Sequence, residues 1–345
     1  MDKLKKHILV TGGAGYIGSH TVVALTEAGF QPVILDDFRN AHPDVIDRLE
    51  EITQTQILCE RSSCHDTDLL ESIIEKYNIW GVIHFAADKA VGESVENPLK
   101  YFDNNLGGLI SLLKAMKSKG VHRLVFSSSC TVYGLPKTIP VTENEEVSYN
   151  SPYGFTKLIN EQMLEQFVQA EEQFKTVLLR YFNPVGAHAS GLIGEEPRGV
   201  PTNLLPFITQ TAAGIRKELV VHGDDYETSD GTCIRDYIHV VDLAEAHVKA
   251  LEFIDSDKSA SLEVINIGTG NGTSVKEMID TFVSTCDTSL NWRIGPRRSG
   301  DVPAIYADAA LAKEKLNWEA KLTVKDALRS AWNYQQKRVQ KTSEL

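Results

Sequence analysis

Thr11-Gly12-Gly13-Ala14-Gly15-Tyr16-Ile17-Gly18 is the stretch that decides the fold. Gly13, Gly15 and Gly18 make the spacing GxGxxG, while Gly12, Gly15 and Gly18 make GxxGxxG. Residues 7–11 (HILVT) in front of it are β-rich and too short for a helix. Residues 15–28 behind it read as a helix with Ile17, Val22 and Leu25 among its apolar positions. Such a passage needs glycine because the chain turns sharply and because a Cβ would keep a pyrophosphate from the N–H groups at the helix start. The next apolar run, 32–35, ends on Asp36, 18 residues past Gly18, near the ~20 expected of a ribose-binding acid. A carboxylate there accepts from ribose hydroxyls and repels a 2′-phosphate, so the cofactor indicated is NAD and not NADP. Arg39, which could argue otherwise, reads as a solvated loop arginine.

Outward from this turn, strand-length runs at 81–85, 124–127 and 176–180 alternate with helix-length segments near 66–77, 98–118 and 152–172. That alternation specifies βαβ units: an α/β, Rossmann-type, doubly wound parallel sheet. After about Tyr181 the texture changes. Residues 183–206 are rich in Gly and Pro, 223–231 form a polar loop, and helices are expected near 204–217, 241–254, 274–285 and 323–336. We divide the chain into an NAD-binding domain, 1–181, and a smaller α/β substrate lobe, 182–345, with crossover segments allowed between them. The cleft between the two is where a substrate is expected.

Composition narrows the function classes. A net charge of −12 argues against general affinity for nucleic acid or an anionic membrane. No apolar run approaches the ~20 residues of a membrane span. The five cysteines, Cys59, Cys64, Cys130, Cys233 and Cys286, are odd in number and make no CxxC pair, which suits a reducing compartment. None of the ten histidines has ligand spacing, so no metal is expected. A cleaved leader would remove the first strand and leave the glycine turn unsupported, so a cytoplasmic location is expected.

Ser151-Pro152-Tyr153-Gly154-Phe155-Thr156-Lys157 carries YxxxK at a helix start, with Ser151 suited to cap it and Pro152 to its first position. Tyr153 and Lys157, four residues apart, share one helix face. Upstream, a strand runs into the hydroxyl cluster Ser127-Ser128-Ser129. Each pattern alone is common; in this order after the glycine turn they are specific.

This constellation resembles the extended short-chain dehydrogenase/reductase family and, within it, the UDP-hexose 4-epimerases. The matching segments are TGGAGYIGSH, HFAADKAVGES, FSSSCTVYG, SPYGFTK, LRYFNPVGAH, DGTCIRDYIHVVDLA and GDVPAIYADA, spread over nearly the whole chain. The resemblance implies reversible inversion at C4 of UDP-glucose or UDP-galactose through a 4-keto sugar, with a tightly held NAD and a homodimeric assembly. Tyr153 is implied as the acid/base, Lys157 as its partner on the nicotinamide ribose, and Ser129 as a hydrogen-bond partner of the sugar O4. Since a free tyrosine titrates near ~10, a base at pH 7 requires a depression of about 3 units. Lys157 and the positive nicotinamide are the expected sources.

For the cofactor, the resemblance implies Gly12, Gly15, Tyr16, Ile17 and Gly18 at the pyrophosphate and Asp36, Asp37 and Asn40 at the adenosine ribose. It adds Ser63 and Cys64 near the adenine, then Phe85, Ala86, Lys89 and Asn104, with Tyr181 and Phe182 flanking the nicotinamide. One departure stands out: the family's Gly-Asp before the third helix is Ser62-Ser63 here. For the substrate it implies Asn183, Asn203, Leu204, Arg235, Arg298 and Asp301 around the uridine diphosphate, which arginine forks suit. His222 is either packed or set against the uracil. Ile305 stands where the family sets the room for a 2-acetamido group, and it is intermediate in size.

Three other readings compete. A 4,6-dehydratase of the same scaffold carries Thr-Asp-Glu after the hydroxyl strand, where this chain has Ser129-Cys130-Thr131. A UDP-glucuronate or UDP-N-acetylhexosamine epimerase differs only in its sugar pocket. A non-catalytic NAD-sensing regulator has no use for Ser129, Tyr153 and Lys157 together.

Overall fold

Strand β1 (His7–Thr11) lies inside a seven-stranded parallel sheet, flanked by β2 (Gln31–Asp36) and β4 (Ile79–His84). A computed structural model describes residues 5–256, 259–298 and 300–343, the last three by backbone alone. Beyond β2 lies β3 (Leu58–Arg61); beyond β4 lie β5 (Arg123–Ser129), β6 (Lys175–Tyr181) and a last strand, Leu262–Ile267. Every pairing in this sheet is parallel. Ile8 and Val10 join one core while Leu9 joins the other, and Ile34 is likewise opposed to Val33 and Leu35. The sheet is thus buried on both faces, which explains apolar runs without polar alternation.

Chain order reverses between β1 and β4, so their C-terminal ends diverge into a crevice. Thr11 Oγ1 and His84 Nδ1 tie these ends together at 2.7 Å. Helices Leu204–Ala212, Val275–Cys286 and Val324–Ser343 contribute to a separate hydrophobic cluster that buries Leu205, Ile208, Phe282 and Leu328. A fourth cluster, including Val132, Tyr133, Phe182 and Ile305, packs the lobe against the end of β5.

The structure departs from the sequence expectations in particular places. The helix expected over 98–118 is Pro98–Tyr101 and Gly108–Ser118 with a π-helical turn, Phe102–Gly107, between them. The wider turn aims Asn105 inward, where its amide accepts from Asp88 N at 2.8 Å and donates to Asp88 O at 3.0 Å. The helix expected over 204–217 stops at Ala212, closed by Gly214 at φ 73°. Of the strands of the large sheet, β3 had no counterpart among the expected elements, and Leu262–Ile267 answers to the short strands expected among the later helices and to the crossover allowed between the domains. The latter returns from beyond residue 182 to pair with β6, so the first sheet is built from both halves of the chain. Among the described residues no helix is long and apolar enough to cross a membrane.

Candidate active site

The glycine turn forms the floor of a cleft of about 1040 Å³ open to solvent. A Cβ on Gly18 would sit 2.2 Å from the Gly12 carbonyl oxygen, and one on Gly12 would sit 2.8 Å from Ala86 N. Neither neighbour is a flexible side-chain end, so only glycine fits. No side chain caps the Tyr16–Glu27 helix, which leaves the N–H groups of its first turn facing the cleft for an anion. Asp36 closes the next strand and accepts from Ala14 N at 3.0 Å and Phe38 N at 2.8 Å. Each of its oxygens keeps a second lone pair for a hydroxyl. Burial raises the Asp36 carboxyl above its ordinary range, and the two N–H groups oppose that. Bare backbone, an uncapped helix start and a terminal acid together fit a dinucleotide.

Most of the residues expected at the cofactor line this cleft: Gly12, Gly15, Tyr16, Ile17, Gly18, Asp36, Asp37, Asn40, Ser63, Cys64, Phe85, Ala86, Lys89, Asn104, Tyr153, Lys157 and Tyr181. Ser129 and Phe182 do not line it; Phe182 is buried in the cluster that joins the lobes. Arg39 is not simply solvated. It binds Asp37 at 2.6 Å and Asn104 Oδ1 at 3.1 Å, fastening the loop after β2 to the π-helical turn. Ser63 lines the wall with its hydroxyl accepting from His65 N at 3.4 Å.

Tyr153 and Lys157 lie in the first turns of helix Pro152–Ala170, whose N-cap Ser151 accepts from Gly154 N at 3.1 Å. Both side chains are buried against the end of β5. Lys157 Nζ donates to the Ser127 carbonyl at 2.7 Å, and its ammonium is 5.9 Å from the Tyr153 ring centroid. Burial lowers Lys157 to about 8, with the charge of Glu161 opposing. Burial likewise pushes the Tyr153 phenol well above its usual value, Tyr181 adds to this, and a hydrogen bond with Ser129 works the other way. The depression that a basic tyrosine needs is therefore not supplied by the protein alone; it requires added positive charge in the cleft. Tyr181 is fixed by Ser127, oxygen to oxygen at 2.7 Å.

Behind this cluster is a buried network that the sequence reading did not include. Glu161 extends Tyr153 and Lys157 by one further turn on the same face. Arg180 grips it with Nη2 to Oε2 at 2.6 Å and Nε to Oε1 at 3.0 Å, and Ser128 donates to it from β5. Repetition of the four-residue spacing was the available signal for Glu161; nothing local pointed to Arg180.

The residues expected at the nucleotide sugar come from several separate elements. Arg235 and Ile305 are register partners, and Arg235 lies 3.6 Å from Asp301. Asn183 is one strand away, paired with Tyr237. Asn203 and Leu204 begin the Leu204–Ala212 helix, where Asn203 makes no capping bond and instead donates to Glu195 at 2.6 Å. His222 donates from Nδ1 to the Pro296 carbonyl at 3.1 Å. Arg298 is exposed two residues further on. Among the described residues no group of three or more His, Cys, Asp or Glu is placed to hold a metal.

Replacing Gly18 by Ala is expected to yield protein with little or no bound NAD, since the clash with the Gly12 carbonyl exceeds ordinary overpacking of ~1–3 kcal/mol. Measuring nucleotide released on denaturation checks this; full occupancy in the variant would contradict the geometry.

Comparison with known proteins places this arrangement. The family described as GDP-mannose 4,6 dehydratase matches residues 9–331. The UDP-glucose 4-epimerase of Bacillus subtilis (strain 168) is 47% identical over 332 residues, 96% of this chain and 97% of that protein. The crystal structure of a UDP-glucose 4-epimerase from Stenotrophomonas maltophila, with NAD and formylated UDP-arabinopyranose, superposes with a TM-score of 0.95 at 46% identity, covering 97% of this chain and 99% of that one. That of Bifidobacterium longum, in complex with NAD+ and UDP, gives 0.93 at 45% identity with the same coverage.

Proposed function

The chain belongs to the UDP-glucose 4-epimerase family of extended short-chain dehydrogenase/reductases, and on that premise we propose how its residues invert C4 of a UDP-hexose. The enzyme interconverts UDP-glucose and UDP-galactose with NAD as a resident cofactor. The observation that carries the reading is that Tyr153 and Lys157 line the cleft floored by the glycine turn, with Ser129 at the end of β5 beside the Tyr153 phenol.

NAD, when bound, supplies the acceptor of the C4 hydride and the donor that returns it. Tyr153 holds the proton of O4: it accepts it as the carbonyl forms and gives it back as the alcohol re-forms. Ser129 hydrogen-bonds O4 and keeps that oxygen in line with the phenol. Lys157, fixed on the Ser127 carbonyl, supplies positive charge beneath the phenol and donors for the nicotinamide ribose. Asn183, Asn203, Leu204, Arg235, Arg298 and Asp301 hold the uridine diphosphate, so the sugar can turn about its phosphate linkage while the nucleotide stays. His222 closes the uracil end.

Dehydration is disfavoured by chemistry as well as by motif. Elimination of water needs an acid where Cys130 stands, and burial pushes that thiol up to about 12. Ile305 is packed with Val132, Tyr133 and Phe182, which leaves UDP-N-acetylhexosamine as the second reading to be tested as a substrate.

Two broader assignments accompany this one. The groove between helices Gly108–Ser118 and Pro152–Ala170, about 1050 Å³ and lined by Ile110, Leu113, Ile159, Met163 and Phe167, supports a homodimer, which light scattering checks. Five free cysteines support a cytoplasmic location.

The deciding assay uses UDP-galactose and purified protein without added NAD. UDP-glucose is expected to form; if none forms even after NAD is supplied, the assignment fails.

A further inference from the structure

Glu195 is a carboxylate that the chemistry above does not use. It belongs to the segment 186–203, which runs past the cofactor cleft to the start of the Leu204–Ala212 helix. This strap is fastened away from the site by Glu196, which accepts from Arg48 at 3.2 Å and from the Tyr334 hydroxyl at 2.7 Å. Arg198 ties it to the loop after β2 by donating to the Ala41 carbonyl at 2.6 Å. Glu195 instead joins two residues of the site. A single oxygen, Oε1, accepts from Lys89 Nζ at 3.0 Å and from Asn203 Nδ2 at 2.6 Å. Its side chain is 11% exposed, whereas that of Lys89 is 44% exposed, so the carboxylate is held within the protein and reaches the lysine at the rim of the cleft.

The valences leave both partners free to bind ligands. Lys89 has three N–H donors, of which Glu195 takes one, and Asn203 keeps a second N–H and its oxygen. The carboxylate therefore selects one rotamer of each without exhausting either. For a long lysine this ordering carries a substantial entropy cost, met in advance of ligand binding.

We infer that Glu195 is a positioning residue that couples the cofactor cleft to the nucleotide-sugar cleft, its one oxygen linking Lys89 on the first to Asn203 on the second. The inference rests on the place of Lys89 in the cofactor cleft and on the role proposed above for Asn203. A uridine diphosphate engaged by Asn203 fixes Glu195, Glu195 fixes Lys89, and Lys89 holds the cofactor more tightly. By linkage, the cofactor must favour the uridine diphosphate to the same degree.

The test follows release of NAD from diluted holoenzyme, with and without saturating UDP. In the wild type UDP is expected to slow release by about tenfold, within the usual range of such couplings. In Glu195→Ala and Glu195→Met, neither of which offers an oxygen to Lys89 or Asn203, release without UDP should be faster and the effect of UDP should shrink below about twofold. Glu196→Gln loosens the same strap from its other anchors and touches neither Lys89 nor Asn203; its UDP effect should keep the wild-type size. Wild-type behaviour in folded Glu195→Ala overturns the inference. So does faster release with the UDP effect intact, which would reduce Glu195 to local support of Lys89. If Glu195→Ala does not fold, the similarly sized Glu195→Met, which has no oxygen to offer either partner, decides alone. Failure of the underlying reading looks different: wild-type protein would carry no NAD or bind no UDP.

Discussion

Replacing Tyr153 by Phe is expected to lower turnover of UDP-galactose by roughly 10³-fold while leaving bound NAD in place, the mid-range of what a positioned acid/base contributes. The ring is 7% exposed, and Phe retains it, so packing survives and only the hydroxyl is lost. The electrostatics make this hydroxyl hard to replace. Burial pushes the phenol up and lowers Lys157 to about 8. An ionised group at this position is thus stabilised only when further positive charge lies beside it. Water entering in place of the hydroxyl would meet the same unfavourable surroundings without the covalent placement. Single-turnover kinetics and nucleotide content, measured on one preparation, check the prediction. Turnover above a tenth of wild type, or NAD lost in proportion to activity, would contradict the assigned role.

The second large effect is on stability. Arg180→Leu is expected to destabilise the fold by ~3–5 kcal/mol, because it leaves Glu161 buried without its counter-charge. The two side chains are 7% and 6% exposed, so solvent cannot substitute for the guanidinium. The same guanidinium donates to the Tyr133 hydroxyl at 3.1 Å, and that hydroxyl donates to Asn266 Oδ1 at 2.6 Å. Removing it therefore frees the ends of β5, β6 and the Leu262–Ile267 strand at once. The double variant Glu161→Leu, Arg180→Leu should recover much of the loss, since apolar replacement of a whole buried pair is often neutral. Denaturant titration of both variants tests this. A single variant within 1 kcal/mol of wild type, by the ~3–5 kcal/mol expectation, would show that Glu161 finds another partner.

What could be read from the sequence was what local chemistry dictates. The strand before the glycine turn, the acid after it, the capped start of the Tyr153 helix and the (i, i+4) lysine are each settled within about twenty residues, and all stand as expected. β3 escaped because Leu58-Cys59-Glu60-Arg61 is short and half polar, as an edge strand can be. The π-helical turn escaped because helical periodicity continues through it, and its cause is a contact between Asn105 and Asp88, made across a loop. Arg180 with Glu161, and Lys89 with Glu195 and Asn203, are joined only by tertiary structure. The residues expected at the nucleotide sugar were reached through resemblance, and in the structure they lie on separate short strands, loops and one helix start, which give no periodic signal.

The return of the chain through Leu262–Ile267 has a consequence for cutting the protein apart. A fragment ending at Tyr181 would leave the ladder Thr176–Tyr181 on β6 unpaired and uncover Val177 and Leu179, which are 1% and 0% exposed. A bare, flat, apolar edge of this kind is a template for intermolecular strand addition. The nucleotide-binding half should therefore aggregate when expressed alone. Nor can the second lobe be exchanged as a cassette, because one of its segments is a structural member of the first. New sugar preferences in this scaffold must arise by altering loops in place, with the closing strand retained.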